Sequence, residues 1–462
     1  MKKIAKSINT VLERFLPLIC IVFFLAGIGF SLISSGFAEY IDKIIGGFIA
    51  NYQFFAPMAI YIIVTPAFAK IFSERKFNGK GFVAYSLTFF AGLRIGACVW
   101  ACIFTTLVFG LPLFINHTVS FGGALARSLN DMGYMLTHSA YFYALYASII
   151  TVFVAARVKI LEDFLTGKMD VIEKIGAWFV PIVPFFMLFI GSYVAHLPVN
   201  LKNQLGDSLG GVSLNTINIF GLSIKSATPT GMIMAYLAGA FLTGIACFIW
   251  HFGLLIWAKI VSDKFSFRKY FKDYWIQVYP ILWATSSEAL ATPLNLYLVK
   301  KNYRQIRTEV RRFVVGIGSF MNINGTIICV FVLAGLVAKI LNIPISLLDL
   351  LFCIPIVFLI GYGVPGIPGE LLMFGGPLVV LLRISPESAP FFLALYLGLQ
   401  IGLPDSFRTG ANSTDQCPTA LILQNVYEKR FLNEKETVEV EAPAIIVPVM
   451  TAVLAEATVK GS

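Results

Sequence analysis

Uncharged apolar runs from Phe15 to Ile33, Ile44 to Ala69 and Phe313 to Ala338 dominate this chain. Each meets or exceeds the ~18 residues that read as a membrane-spanning helix. Lipid offers no partner to a backbone N–H or C=O, so such a chain must satisfy these groups within its own helices. Composition agrees: 58% of the 462 residues are hydrophobic and 13% charged, against the roughly half-apolar, quarter-charged balance of soluble domains. The net charge of +10 does not point to nucleic acid, because the basic residues form short clusters between apolar segments with no aromatic-interleaved basic face. Seven cysteines, almost all in apolar segments and without a CxxC pair, imply neither a disulfide framework nor a zinc site. Lys2, Lys3 and Lys6 precede the first apolar run. That run is too long for a signal peptide and lacks a small-residue cleavage site, so it reads as a retained first span.

Spans are expected near 15–37, 44–70, 81–115, 138–157, 175–197, 229–258, 308–338 and 388–427. Two more apolar stretches fit poorly. The one at 274–300 is interrupted by Ser286, Ser287, Glu288 and Pro293, and the one at 347–383 carries Gly361, Gly363, Pro365, Gly366, Pro368 and Gly369 near its middle. Irregular backbone at membrane depth is tolerated only where protein or a water-filled cavity receives its polar groups, so both broken segments point to a binding site. If each enters and leaves on one side, eight true spans remain and both termini share a side. With the termini inside, about 27 of the 35 Lys and Arg fall on the cytoplasmic side, the imbalance that the positive-inside rule demands. The fold class expected is therefore an all-α integral membrane protein of eight transmembrane helices plus two re-entrant helical hairpins, in the plasma (inner) membrane.

The last span carries Asp405, Arg408 and Asp415 together with Thr409, Asn412 and Gln416. At 100° per residue these six positions fall within an arc of about 120°, one stripe of the helix. An ionised group at a helix centre costs about 2.5–3.5 kcal/mol on insertion scales, so a stripe of three is expected to face a polar, functional interior. The alternative is an i, i+3 pair of Asp405 and Arg408 that only neutralises itself. Pro404 predicts a kink beside the charges.

These residues resemble the dicarboxylate/amino acid:cation symporters, which include the glutamate transporter homologues. Asp405-Ser-Phe-Arg408-Thr409-Gly-Ala-Asn412 is similar to that family's Asp-x-x-Arg-Thr-x-x-Asn, and Asn322-Ile-Asn324-Gly325-Thr326 to its Asn-Met-Asp-Gly-Thr. Gly363-Val364-Pro365-Gly366 looks like the second hairpin tip and Thr285-Ser286-Ser287-Glu288 like the serine-rich first one. The four matches occur in family order. Resemblance is strong from about 264 to 430 and weak before it, where only Tyr85 and Thr88 match.

The resemblance implies an elevator-type homotrimer. Scaffold helices would occupy 1–80 and 116–200, a transport domain 81–115 and 201–430 with hairpins at about 272–300 and 347–383, and a cytoplasmic tail 431–462. It also implies secondary active symport of an aspartate- or glutamate-like substrate, with no cofactor beyond a coupling cation. Arg408 would bind the substrate's side-chain carboxylate, through the bidentate fork of a guanidinium, and Asp405 its α-ammonium. Thr409, Asn412, Ser286, Ser287 and the backbone of Val364, Pro365 and Gly366 would complete the substrate site. Cation coupling would fall to Gly318, Asn322, Asn324, Asp415, Gln416, Tyr85, Thr88 and Glu370. Departures from the pattern bear on the ion. Asn324 and Gln416 stand where the family has acids, while Asp415 lies one position, about 100°, from the second of them. Two amides in place of carboxylates disfavour sodium and leave a proton or sodium as the coupling cation. Cystine-type members are similar in lacking both acids, so cystine or dicarboxylate uptake stays open, as does an uncoupled facilitator or channel.

Other residues have two readings each. Glu370, in a segment otherwise free of charge from Leu350 to Leu382, is a proton carrier or a helix cap. Arg94, the one charge in span three, is a fixed positive charge at a cation position, or a snorkelling or salt-bridged arginine. Glu288 reads as structural, His138, His196 and His251 as packing or interface residues and not metal ligands, and Cys98 with Cys102 as a packed i, i+4 pair. An intramembrane hydrolase is disfavoured: no His lies in either broken segment and no Lys stands close to the serines. The chain is therefore expected not to be an enzyme. Single cysteines placed at 303 and 435 should react with an impermeant thiol reagent from the same, cytoplasmic side; labelling from opposite sides would refute this topology.

Overall fold

The computed structural model describes residues 21–41, 80–115, 140–165, 215–219, 221–226, 228–285, 288–363, 371–400 and 402–431, with scattered positions between them. The spans expected at 44–70 and 175–197 lie largely outside the described residues, and the tail from 432 wholly so. Helices dominate what is described: α1 (Lys80–Phe109), α2 (Ala140–Ala155), α3 (Pro229–Val261), α4 (Phe267–Tyr270), α5 (Ile276–Thr285), α6 (Glu288–Asn302), α7 (Thr308–Met321), α8 (Asn324–Ile340), α9 (Leu347–Ile360), α10 (Leu372–Leu381), α11 (Ala389–Gln400), α12 (Leu403–Thr414) and α13 (Gln416–Arg430). Residues 84–109 of α1 and 230–261 of α3 are each long and apolar enough to cross a membrane.

The helices sort by what they bury. Every residue of α8 except Lys339 is buried, because α1, α3, α11 and α12 surround it. Lys339, the sole charge, sits in the last turn, where the helix dipole favours a cation. On α1 the buried Ala97, Cys98, Ala101 and Cys102 face inward while Ile95, Val99, Ile103 and Leu107 are exposed at i, i+4 spacing. α3 repeats this, exposing Phe241, Phe248, Phe252, Ile256 and Ile260. Apolar side chains outside and ionised ones inside is the polarity that a lipid-facing helix bundle requires.

Local chemistry sets the helix ends. Thr228 caps α3, its Oγ1 accepting from the N–H of Gly231 at 3.0 Å, and Pro229 occupies the first turn, where its missing N–H costs nothing. Ser346 and Asp349 form a reciprocal capping box at the start of α9. The N–H of Leu347 also donates to the carbonyl of Pro112, tying α9 to the end of α1.

Three features correct the expected picture. The span placed at 308–338 is two helices, α7 and α8, interrupted at Asn322 and Ile323. The last span is likewise broken, at Gly402. Gly402 adopts φ +89°, a conformation glycine enters without a Cβ clash, and Pro404 begins the new helix α12 instead of kinking a continuous one. Finally, the all-α expectation misses an antiparallel hairpin of β1 (Thr216–Ile219) and β2 (Leu222–Lys225). Its buried Ile217, Ile219 and Ile224 alternate with exposed neighbours, and Gly221 takes φ +82° in the tight turn. Asn215, just before β1, donates its N–H to the carbonyl of Ile340 at the end of α8.

The halves of each broken segment pack on one another, α5 on α6 and α9 on α10. α12 is enclosed by α3, α5, α6, α8 and α11. Close approach of α1 to α8 depends on Gly335, where an added Cβ would meet the methyl of Thr105 and the ring of Phe109. Gly335→Val should therefore cost on the order of 1–3 kcal/mol by overpacking, read as a lowered midpoint of thermal unfolding.

Candidate functional site

A break inside a buried helix strands N–H groups at the start of the second half and carbonyls at the end of the first. At the α7–α8 break the N–H groups are served from α12. Oδ1 of Asn412 accepts from the backbone N–H of Gly325 at 2.6 Å and of Thr326 at 3.2 Å, so that a side chain on another helix caps α8. Its Nδ2 donates to Oγ1 of Thr326 at 2.8 Å and to Oε1 of Glu288, the first residue of α6, at 3.0 Å. Gly325 is needed for this approach, since a Cβ there would strike the carbonyl of Arg408. Asn322 returns the contact, its Nδ2 donating to the carbonyl of Asn412 at 3.0 Å and its Oδ1 accepting from Nδ2 of Asn324 at 2.6 Å. Glu288 thus belongs to the same network.

One turn away Arg408 donates from Nη2 to Oδ1 of Asp405 and from Nη1 to Oγ1 of Thr326 at 2.9 Å. Both charges are buried, with 1% of Arg408 and 3% of Asp405 exposed. Asp405 and Arg408 are thus paired at i, i+3 within the polar cluster. Thr409 is buried beside it.

A third group surrounds Asp415 at the α12–α13 junction. Its Oδ1 lies 2.5 Å from Nδ1 of His251 on α3, and its Oδ2 accepts from Nδ2 of Asn324 at 3.4 Å. Nε2 of His251 is 3.0 Å from the hydroxyl of Tyr270, which is also 3.1 Å from the carbonyl of Thr414. Hydrogen-bond accounting then locates a proton. A ring nitrogen and a carboxylate at hydrogen-bond distance share one proton, here between Nδ1 and Asp415, while the single hydrogen of the Tyr270 hydroxyl can go to Nε2 or to the Thr414 carbonyl according to the tautomer. His251, expected as a packing residue, is instead the partner of Asp415; its position on one apolar helix face carried no signal of that pairing. Beside them Gln416 accepts at Oε1 from Nδ2 of Asn295 at 2.8 Å, and its side chain rests against Gly318.

Arg408, Asp405, Thr409, Asn412, Asn322, Asn324, Asp415, Gln416 and Gly318 thus lie in or beside one buried polar cluster. Tyr85 and Thr88 lie apart from it. Tyr85 packs near Phe431 and Arg430, and the exposed Thr88 bonds its own helix at the carbonyl of Ala84. The residue of α1 that reaches the break is Arg94, whose Nη2 donates to the carbonyl of Met321 at 2.7 Å. Ser286, Ser287, Val364, Pro365, Gly366 and Glu370 lie outside the described residues.

The oxygens of this cluster already face N–H donors of the chain: Asn322 Oδ1, Asn412 Oδ1, the Met321 carbonyl and both oxygens of Asp415. A hard cation takes several oxygen ligands at once. It would have to share these oxygens with the donors that already face them.

Residues 212–426, the stretch from just before β1 almost to the end of α13, match the family model described as the sodium:dicarboxylate symporter family. No curated protein matches the chain.

Because Asn412 joins α6, α8 and α12, Asn412→Ala should remove the side-chain acceptor of two N–H groups that begin α8 and one donor to the Glu288 carboxylate. Buried groups that lose a partner in this way cost roughly 1–3 kcal/mol. Thermal unfolding of the ligand-free protein should show the loss, and an unchanged midpoint would remove Asn412 as the cap of α8.

Proposed function

We propose, for a chain whose residues 212–426 match the sodium:dicarboxylate symporter family, secondary active transport of an acidic α-amino acid across the membrane, coupled to protons. The observation that carries this reading is the buried Asp405–Arg408 pair. Each partner compensates the other's burial, and removing one alone leaves an uncompensated charge. A substrate that brings both an ammonium and a carboxylate replaces each partner in turn, so neither charge is left unpaired. The ammonium goes to Asp405 and the side-chain carboxylate to the Arg408 fork. The α-carboxylate goes to the amide of Asn412 and the serines at 286 and 287. A dicarboxylate without an amine would set its own charge against Asp405, which argues for an amino acid over succinate or malate.

Coupling to protons rests on the His251–Asp415 pair. It holds a proton beside the substrate residues, in the place where two amides, Asn324 and Gln416, have replaced the acids of sodium-coupled relatives. The eight-span, two-hairpin topology is supported by the distribution of Lys and Arg and by the packing of α5 on α6 and α9 on α10. In that reading 286–287 and 364–366 are hairpin tips, both termini are cytoplasmic at the plasma membrane, and the protein is an elevator-type homotrimer.

The test is uptake of labelled L-aspartate into proteoliposomes under an imposed pH gradient or an imposed sodium gradient, with succinate and cystine as competitors. Accumulation should follow the pH gradient, be lost in Asp415→Asn and His251→Gln, and be competed by L-glutamate but not by succinate. Arg408→Ala should weaken aspartate binding by on the order of 2–5 kcal/mol. Sodium-driven accumulation at constant pH, unaffected by either substitution, would refute the proton reading, and competition by succinate as strong as by aspartate would refute the substrate.

A further inference from the structure

Arg94 is 1% exposed, and among the described residues its hydrogen bonds go to backbone carbonyls and not to a carboxylate. Its partners are dipoles. Nη2 donates to the carbonyl of Met321, the last residue of α7, at 2.7 Å, and Nη1 reaches the carbonyl of Phe358 on α9 at 3.4 Å. The guanidinium carbon stands 3.9 Å from the centre of the Tyr362 ring, just past the end of α9. Gly361 permits this approach, since a Cβ there would come within 2.8 Å of the Ile323 side chain and 3.4 Å of Nη1.

Two carbonyls and an aromatic face are what a buried cation needs in place of water. The carbonyl of Met321 also ends a helix whose dipole is negative there and whose continuation is interrupted. We propose that Arg94 is a built-in cation: its guanidinium occupies the position at the α7–α8 break where a mobile monovalent cation would otherwise hold the end of α7 to the second broken segment, so that substrate binding requires no sodium ion there. A charge tethered to α1 cannot leave with the substrate. It holds α1, the break and α9 together in every state, whereas an ion from solution would do so only when bound. This rests on the transport reading above and adds to it the reason why the sodium of the family's name is dispensable in this chain.

The experiment uses the purified full-length protein in nanodiscs, in sodium chloride or choline chloride at equal ionic strength. In the ligand-free wild type, thermal unfolding should show no sodium-specific shift, and the affinity for L-aspartate as probe should change less than about twofold between the salts. Arg94→Ala should lose at least about tenfold in aspartate affinity in choline. Millimolar guanidinium should restore it, and the variant should acquire a sodium-specific thermal shift that the wild type lacks. A wild type whose aspartate affinity rises about tenfold or more with sodium, or whose ligand-free form is stabilised specifically by sodium, would overturn the proposal. So would a loss in Arg94→Ala that neither guanidinium nor sodium repairs, the outcome for a merely structural residue. If Arg94→Ala does not fold, the wild-type salt comparison decides alone. If no acidic amino acid binds in any salt, the substrate reading fails, and the ligand-free thermal shifts still judge Arg94.

Discussion

Interrupting a helix inside a bundle that lipid surrounds exposes backbone groups that no water will satisfy, and the α7–α8 break makes this the governing problem of the molecule. The solution is divided between two helices. Asn412 on α12 takes the N–H groups that begin α8, and Arg94 on α1 takes the carbonyl that ends α7. Neither donor nor acceptor is local in sequence, so the break can exist only when α1, α7, α8 and α12 are assembled together.

That dependence explains the distribution of apolar side chains. α8 is buried along almost its whole length, because the helices that serve its broken end must also surround it. Their outer faces are then left to lipid, as the exposed isoleucines, valine and leucine of α1 and the phenylalanines of α3 are. The arrangement is inverted relative to a soluble bundle: buried charges are concentrated around the breaks, where the backbone is already polar and a charge finds partners without further desolvation.

Electrostatically the cluster is built of pairs. Asp405 is held by Arg408, Asp415 by His251, and Glu288 by the amide of Asn412. A buried charge that has lost its partner is far costlier than one that exchanges partners. Chemistry in such a site therefore proceeds by exchange, with a substrate ammonium or carboxylate taking the place of a side chain, or with a proton passing within the His251–Asp415 pair. Arg94 differs in that its partners among the described residues are backbone carbonyls and aromatic rings, which makes it a fixture of the site and not a participant in exchange.

Residue order alone determined the class of the molecule, because run length and the bias of Lys and Arg respond to the bilayer and not to any particular neighbour. It also determined the polar stripe from Asp405 to Gln416 and the two irregular segments, since helical period and Gly, Pro and Ser placement are local properties. Only tertiary structure decided the rest. The break at Asn322 was hidden because an apolar run reads the same whether or not its middle is capped from elsewhere. The hairpin at 216–225 was hidden because its isoleucine alternation spans only four residues per strand. His251 and Arg94 lie 164 and 227 residues from Asp415 and Met321, and nothing in the local pattern of α3 or α1 names those partners. Which charges meet is settled by packing, because in lipid a polar group is placed by the partner it must find.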